Sequence, residues 1–142
     1  MALIERDGFM ASLQQHFEDI SDGEGHCVFI SGEAGIGKTA LVKAFCKKQS
    51  DECSIYQGAC DALFTPRPLA PLYDILWQVN KERWPTSPSS EERSALFADF
   101  FQELSAKKEK LLIVFEDIHW ADEGTLDFIR FFARRIYQLP CL

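Results

Sequence analysis

The sequence lacks any apolar run as long as the roughly 18 residues that a membrane-spanning helix needs. It also lacks a basic start followed by an apolar stretch, so no secretory signal peptide is visible. Basic residues are in the minority, with 15 Lys and Arg against 22 Asp and Glu and a net charge of −7. Because nucleic-acid-binding faces are normally rich in Lys and Arg, DNA contact by this segment is disfavoured. We expect a cytoplasmic protein without membrane contact.

Cysteine is present, but not in a pattern typical of a disulfide framework or a zinc site. The number of cysteines is odd, no two have C-x-x-C spacing, and the three histidines show no ligand spacing with them. We therefore expect free thiols in a reducing compartment. The cysteines are Cys27, Cys46, Cys53, Cys60 and Cys141.

The 142 residues are 46% apolar and 26% charged, which is typical of one globular domain. Residues 7–20 have helical spacing, with Asp7 as a possible N-cap. The short apolar run 27–30 is typical of a buried parallel strand, and a helix is predicted over 38–48. The predicted apolar face of the first helix consists of Phe9, Leu13, Phe17 and Ile20.

The second half continues the alternation of strands and helices. A strand is predicted over 54–58, and a helix opens at Pro68 or Pro71 and runs to about residue 79. Residues 84–90 form a predicted loop. The capping-box pair of Ser89 and Glu92 then predicts another helix. That helix places Leu96, Phe97, Phe100, Phe101 and Leu104 on one face.

The last predicted elements are an apolar strand over 111–115 and a helix capped by Asp122 that runs to about residue 137. Strands that alternate with helices predict an α/β fold with three layers and a parallel sheet. No internal repeat or domain linker is visible. We therefore expect one domain over 1–142.

Residues 32–39 read G-E-A-G-I-G-K-T, which matches the phosphate-binding pattern G-x-x-x-x-G-K-[ST] between a predicted strand and a predicted helix. Glycines allow the backbone N–H groups to approach a phosphate closely, and the helix N-terminus adds partial positive charge. Lys38 supplies a cation for the phosphates, and Thr39 offers a hydroxyl to Mg²⁺. The candidate nucleotide-binding residues here are Gly32, Glu33, Ala34, Gly35, Ile36, Gly37, Lys38 and Thr39.

Two acids, Glu116 and Asp117, follow the apolar strand 111–115. Ligands of open α/β sheets bind at the carboxyl ends of the strands, so these acids are candidates for the other half of an ATP site. By position, Glu116 takes the metal role, and Asp117 acts as the base that orients or deprotonates the attacking water. His119 is expected to be structural or exposed, with approach to the γ-phosphate as the alternative. Trp120 is expected to pack.

Three stretches resemble the P-loop ATPase modules of LuxR-type regulators and adenylyl-cyclase-like multidomain signalling ATPases, and are similar to AAA ATPases of the origin-recognition type. These stretches are GEAGIGKT, CDALFTPRPLAPLYDIL and LLIVFEDIHWAD. The resemblance implies ATP or ADP with Mg²⁺ as ligands. The start of the chain, LIERDGFMASLQQHF, is also similar to the entry segment of that family, which lies near the adenine and implies Ile4 and Arg6 as base-pocket candidates. The role of Arg67 is open, with a solvated residue favoured over a positioning one.

In this family a fourth, sensor-bearing strand lies between the first and third strands. The resemblance therefore implies a fold truncated before that strand and a chain that is part of a longer multidomain protein. It divides the domain into an N-terminal helix (1–25), a phosphate-loop unit (26–49), a second strand with a helical insert (54–105), and the acidic strand end with its helix (111–137).

The expected function is binding of Mg·ATP in a regulatory ATPase, with hydrolysis by these residues slow or absent, and with nucleotide-dependent homo-oligomers as possible assemblies. One alternative is a non-catalytic module whose assembly depends on nucleotide. Another is a DNA-associated initiator-type ATPase, against which the net charge of −7 argues. A small-molecule kinase is a minor alternative.

Overall fold

The protein is described here from a computed structural model that covers residues 6–32, 37–60, 69–80, 93–107 and 109–142. Its helices and strands are α1 (Arg6–Asp19), α2 (Lys38–Gln49), β1 (Ser54–Ala59), α3 (Ala70–Val79), α4 (Arg93–Ser105), β2 (Leu111–Glu116) and α5 (Glu123–Ala133). Short 3-10 helices lie at Ile20–Asp22, Ile118–Trp120 and Ile136–Gln138.

The two strands β1 and β2 are neighbours and run parallel. The Ser54 amide donates to the Lys110 carbonyl, and the Cys60 amide donates to the Glu116 carbonyl, both at 3.0 Å. Equal spacing along both chains is the register of a parallel pair. The α/β class with parallel strands is therefore confirmed.

The predicted strand over 27–30 is wrong for this structure. These residues have no regular secondary structure, and the Phe29 side chain is 64% exposed. A strand needs a ladder of backbone partners. Among the described residues, one backbone hydrogen bond is made beside this run: the His26 amide donates to the Cys141 carbonyl at 3.0 Å. A single bond does not make a strand ladder.

The C-terminal residues lie against the start of β2. Leu111 and Cys141 form a parallel bridge, and the Leu142 amide donates to the Leu111 carbonyl at 2.9 Å. Cys141 is thus hydrogen bonded to His26 and paired with Leu111.

Helix α1 differs from its prediction in two ways. Asp7 is a residue of the first turn and not the N-cap, because the helix begins at Arg6. Phe9 is 57% exposed, whereas Leu13, Phe17 and Ile20 are buried. The apolar spacing of α1 extends toward its N-terminus beyond the buried part of the helix. Phe9 is therefore not part of the core.

Several other predictions are confirmed. Helix α2 starts at Lys38, Pro71 lies in the first turn of α3, and Asp122 caps α5. Four of the five apolar residues predicted for the face of α4 are buried, and Phe101 is half-buried. The predictions for residues 65–68 and 84–90 and for the Ser89–Glu92 box lie outside the described residues.

The chain folds as two compact units. The first unit comprises Met1–Ile55, Glu109–Leu112 and Ile136–Leu142. The second comprises Tyr56–Lys108 and Ile113–Arg135. Each strand begins in the first unit and ends in the second, because the boundary lies after Ile55 and after Leu112.

The first unit is built on the contact between α1 and α2. The rings of Phe17 and Phe45 meet edge to face with centroids 6.0 Å apart, and Lys110 Nζ lies 4.6 Å from the Phe17 centroid. The buried Gln49 side chain donates to Gln14 Oε1 at 2.5 Å. Satisfying that amide avoids the cost of an unpaired polar group in the core.

The second unit has an aromatic core where α4 and α5 meet. Phe100 and Phe128 are fully buried, and Phe97 lies edge to face with Phe128 at a centroid distance of 5.1 Å. Phe115 of β2 contacts the same ring at 5.9 Å. Buried aromatic pairs add specific contact energy to the large area they remove from water. This core fixes α5 beside the end of β2.

Candidate functional site

The N-terminus of α2 has the features of an anion site. Gly37 precedes it with φ 98° and ψ 21°, in the left-handed region that glycine adopts without strain. No side chain among the described residues caps this end, and its first turn contains no acidic residue. The first intrahelical bond runs from the Leu41 amide to the Gly37 carbonyl at 2.9 Å. The amides of Lys38, Thr39 and Ala40 therefore have no intrahelical acceptor and are available to a phosphate.

The side chains that follow Gly37 fit the same ligand. The Lys38 ammonium donates a hydrogen bond to the Gly32 carbonyl. Thr39 is exposed at the helix start. An ammonium, a hydroxyl and free helix amides are the groups that bind the phosphates of a nucleotide and its metal ion.

Other predicted nucleotide contacts lie outside the described residues. These are Ile4 of the base pocket and the loop residues Glu33, Ala34, Gly35 and Ile36. The backbone of Arg6 opens α1, but the placement of its side chain is outside the description. Arg67 lies outside the described residues.

The acidic strand end belongs to the second unit. Glu116 is the last residue of β2 and is half-buried, whereas Asp117 is exposed. Asp117 adopts φ 56° and ψ 44°, a left-handed conformation that Asp enters more readily than most residues. Neither carboxylate has a hydrogen-bond partner among the described residues. Both are therefore available to a ligand, metal ion or water.

The turn after Asp117 exposes two rings. His119 and Trp120 contact each other with centroids 5.0 Å apart, and Trp120 is 50% exposed. The expected packing role of Trp120 is therefore wrong. The 3-10 helix Ile118–Trp120 buries none of its residues, so its rings have no core to enter.

Asp122 does more than the predicted capping. Its carboxylate accepts from the Thr125 amide at 3.3 Å and from Thr125 Oγ1 at 2.5 Å, which makes it the N-cap of α5. The same carboxylate accepts from the Leu69 amide at 3.1 Å, across 53 residues of chain. Leu69 itself has φ 60°, a costly conformation for a bulky side chain. No local sequence signal predicts a contact of this span.

Hydrogen bonding also changes the pKa of Asp122. Burial by itself would raise that pKa, but bonds from the Thr125 hydroxyl and from the Leu69 and Thr125 amides outweigh burial. The pKa of the Asp122 carboxyl is therefore held below its ordinary value of 3.8.

The phosphate-loop end belongs to the first compact unit, and Glu116 and Asp117 belong to the second. Within the described ranges, no group of three or more His, Cys, Asp or Glu side chains could hold a metal ion. Mg²⁺ at nucleotide sites is typically held by one or two protein oxygens together with phosphates and waters, so such a site need not contain a cluster of this kind. None of the described helices is long and apolar enough to cross a membrane.

Comparison with curated proteins and with solved structures gives no significant match. The sequence profile of the AAA ATPase domain family matches residues 2–142, which is nearly the whole chain. This match agrees with the phosphate-loop pattern, the uncapped start of α2 and the parallel α/β fold. The chain belongs to the AAA ATPase domain family and is a nucleotide-binding module of the P-loop type.

Proposed function

We propose that this chain binds Mg·ATP as the nucleotide-binding module of a regulatory ATPase of the signal-transducing class. The observation that carries the proposal is the start of α2, where Gly37 has a positive φ, the helix end has no side-chain cap, and Lys38 and Thr39 come first. The class within the family rests on the resemblance of GEAGIGKT, CDALFTPRPLAPLYDIL and LLIVFEDIHWAD to LuxR-type and adenylyl-cyclase-like ATPases.

In this proposal each candidate site residue has one role. The free amides at the start of α2 and the Lys38 ammonium hold the phosphates of ATP. Thr39 and Glu116 are each proposed as an oxygen ligand for Mg²⁺, which when bound would neutralise charge on the phosphates. Asp117 accepts a hydrogen bond or a proton from the water that attacks the γ-phosphate. Ile4 and Arg6 are proposed to contact the base.

A thermal melt of the 142-residue protein with and without Mg·ATP tests nucleotide binding. A ligand at 100 times its Kd adds about 2.7 kcal/mol to the free energy of unfolding. For a chain of this size that corresponds to a rise in Tm of about 8 °C. Lys38→Ala should abolish the rise. The matched control is Lys43→Ala, because Lys43 is an exposed lysine on the same helix. An unchanged Tm in the unaltered protein, or an equal rise in Lys38→Ala, would contradict the proposal.

Hydrolysis is tested separately through the acidic pair. Steady turnover by the 142-residue protein is expected to stay below about 1 s⁻¹, the low end of typical enzymes. Glu116→Gln and Asp117→Asn should lower ATP consumption further, while the Asp117 change should leave the Mg·ATP-induced rise in Tm in place. If the parent hydrolyses ATP and neither substitution changes the rate, the alternative holds, namely a module whose assembly depends on nucleotide without hydrolysis by these residues.

A further inference from the structure

The edge of β1 is covered by a side chain in the manner of a neighbouring strand. Gln78 of α3 accepts from the Gln57 amide at 2.9 Å and donates to the Gln57 carbonyl at 2.6 Å. One side-chain amide thereby satisfies both backbone groups of a strand residue. An adjacent strand would make the same pair of contacts, and sheet edges recruit such strands when they are open.

A cleft of about 410 Å³ opens beside this covered edge. Its negative charge comes from Asp74 of α3 and Glu116 of β2, and none of its described lining residues is basic. Both carboxylates are without a partner in the described part of the chain. Trp77 is 45% exposed and supplies an aromatic surface to the same cleft. The lining residues are Gln57, Gly58, Ala59, Asp74, Trp77, Gln78 and Glu116.

The walls of the cleft are regular elements held close together. A Cβ placed on Gly58 would lie 2.4 Å from the Pro71 carbonyl oxygen, so α3 approaches β1 as closely as a backbone allows. Pro71 lies in the first turn of α3, and the hydrogen-bonded Gln57–Gln78 pair joins the same two elements near the end of that helix. The approach of Pro71 to Gly58 does not involve Gln78, so this contact between helix and strand persists when the Gln78 amide is displaced.

We propose that this cleft binds an arginine or lysine side chain carried on an extended segment of a partner protein, which docks along β1 in place of the Gln78 amide. A guanidinium suits the site because it stacks on an aromatic face and donates to carboxylates in parallel pairs. The segment would make with Gln57 the two backbone bonds that Gln78 makes in the free chain. The site is distinct from the phosphate-loop end and shares only Glu116 with the proposed ATP site.

The probe is a blocked pentapeptide of sequence TVRVT with a fluorescent label, and its charge-reversed control is TVEVT. Binding to the nucleotide-free 142-residue protein is followed by fluorescence anisotropy. The basic peptide should bind at least tenfold more tightly than the acidic one. Asp74→Asn should weaken its binding at least fivefold and Trp77→Ala at least tenfold. Gln78→Ala should strengthen it two- to fivefold, because the competing amide is removed.

Asp99→Asn is the matched control, since Asp99 is an exposed acid on α4 that does not line the cleft. It should leave the affinity unchanged. The three altered cleft side chains are exposed, so all variants should keep the circular dichroism spectrum of the parent. Equal binding of the two peptides, or equal weakening by Asp74→Asn and Asp99→Asn, would overturn the cleft as a cation site. Binding that Gln78→Ala weakens would overturn docking along the strand edge.

Discussion

Replacing Asp122 with alanine should destabilise the fold by more than the loss of an ordinary helix cap. Loss of an N-cap costs about 1 kcal/mol. The Leu69 amide would also lose its acceptor, and an unpaired buried donor costs about 1–3 kcal/mol. Leu69 is only 4% exposed, so water cannot readily replace the carboxylate. We therefore expect Asp122→Ala to lower the free energy of unfolding by about 2–4 kcal/mol in total.

Asp122→Ser separates the two contributions. Serine is a favoured N-cap residue, so the bond to the Thr125 amide should survive. Its shorter side chain has one oxygen and does not reach the Leu69 amide as well. We expect Asp122→Ser to lose only the share of the free energy of unfolding that the bond to the Leu69 amide contributes. Asp122→Ala should lose about 1 kcal/mol more, because it also lacks the helix cap.

Urea denaturation at neutral pH, followed by circular dichroism, gives these free energies. A loss below about 1 kcal/mol in Asp122→Ala would refute the double role of the carboxylate. Wild-type stability in Asp122→Ser would show that the bond to Leu69 contributes nothing to folding.

The stability that the Asp122 carboxylate contributes should depend on pH, and the sign of this dependence follows from its pKa. Because the folded pKa of Asp122 lies below its ordinary value of 3.8, the ionised carboxylate stabilises the protein above that value. This stabilisation is lost as the pH falls through the folded pKa. The difference in free energy of unfolding between the parent and Asp122→Asn should therefore be constant near neutral pH and shrink below about pH 4.

Three further predictions follow from packing and burial. Phe9→Ala should change the free energy of unfolding by less than about 0.5 kcal/mol because Phe9 is exposed. Phe17→Ala should lower it by about 3–5 kcal/mol because Phe17 is fully buried. Equal losses in urea melts would contradict the structure. Gly25→Ala should destabilise strongly because its Cβ would lie 2.2 Å from the Ile136 carbonyl oxygen, while Gly8→Ala, with open space around it, should stabilise α1 by about 0.5–1 kcal/mol. A thiol reagent should label the exposed Cys27 in the folded protein, and faster at alkaline pH because partial burial raises the pKa of its thiol. The same reagent should reach the buried Cys141 only after unfolding. Labelling of both cysteines at equal rates in the folded protein would disprove this.

Local signals account for much of what the sequence predicted correctly. Lys38 opens α2, Pro71 lies in the first turn of α3 and Asp122 caps α5, because these positions depend on residues within one turn of each other. The α/β class follows from the alternation of elements. The pattern GEAGIGKT predicted a phosphate site whose described end has the required glycine conformation and free helix amides.

Predictions that depended on distant partners were less successful. The run 27–30 has the composition of a buried strand, but among the described residues the backbone bond at this point is made by its neighbour His26, to Cys141. Phe9 continues the apolar spacing of α1 without a surface to pack against. Trp120 was expected to pack and is half exposed, because the short helix that carries it buries nothing.

Local sequence specifies the phosphate-loop pattern and the starts of α2, α3 and α5, since each depends on a few consecutive residues. Tertiary structure alone decided that Asp122 holds the amide of Leu69, that Cys141 pairs beside Leu111, and that Gln78 covers Gln57. Each of these contacts joins residues far apart in the chain. Such pairs form only when packing brings the two elements together, because backbone and carboxylate groups removed from water must find partners wherever the fold supplies them.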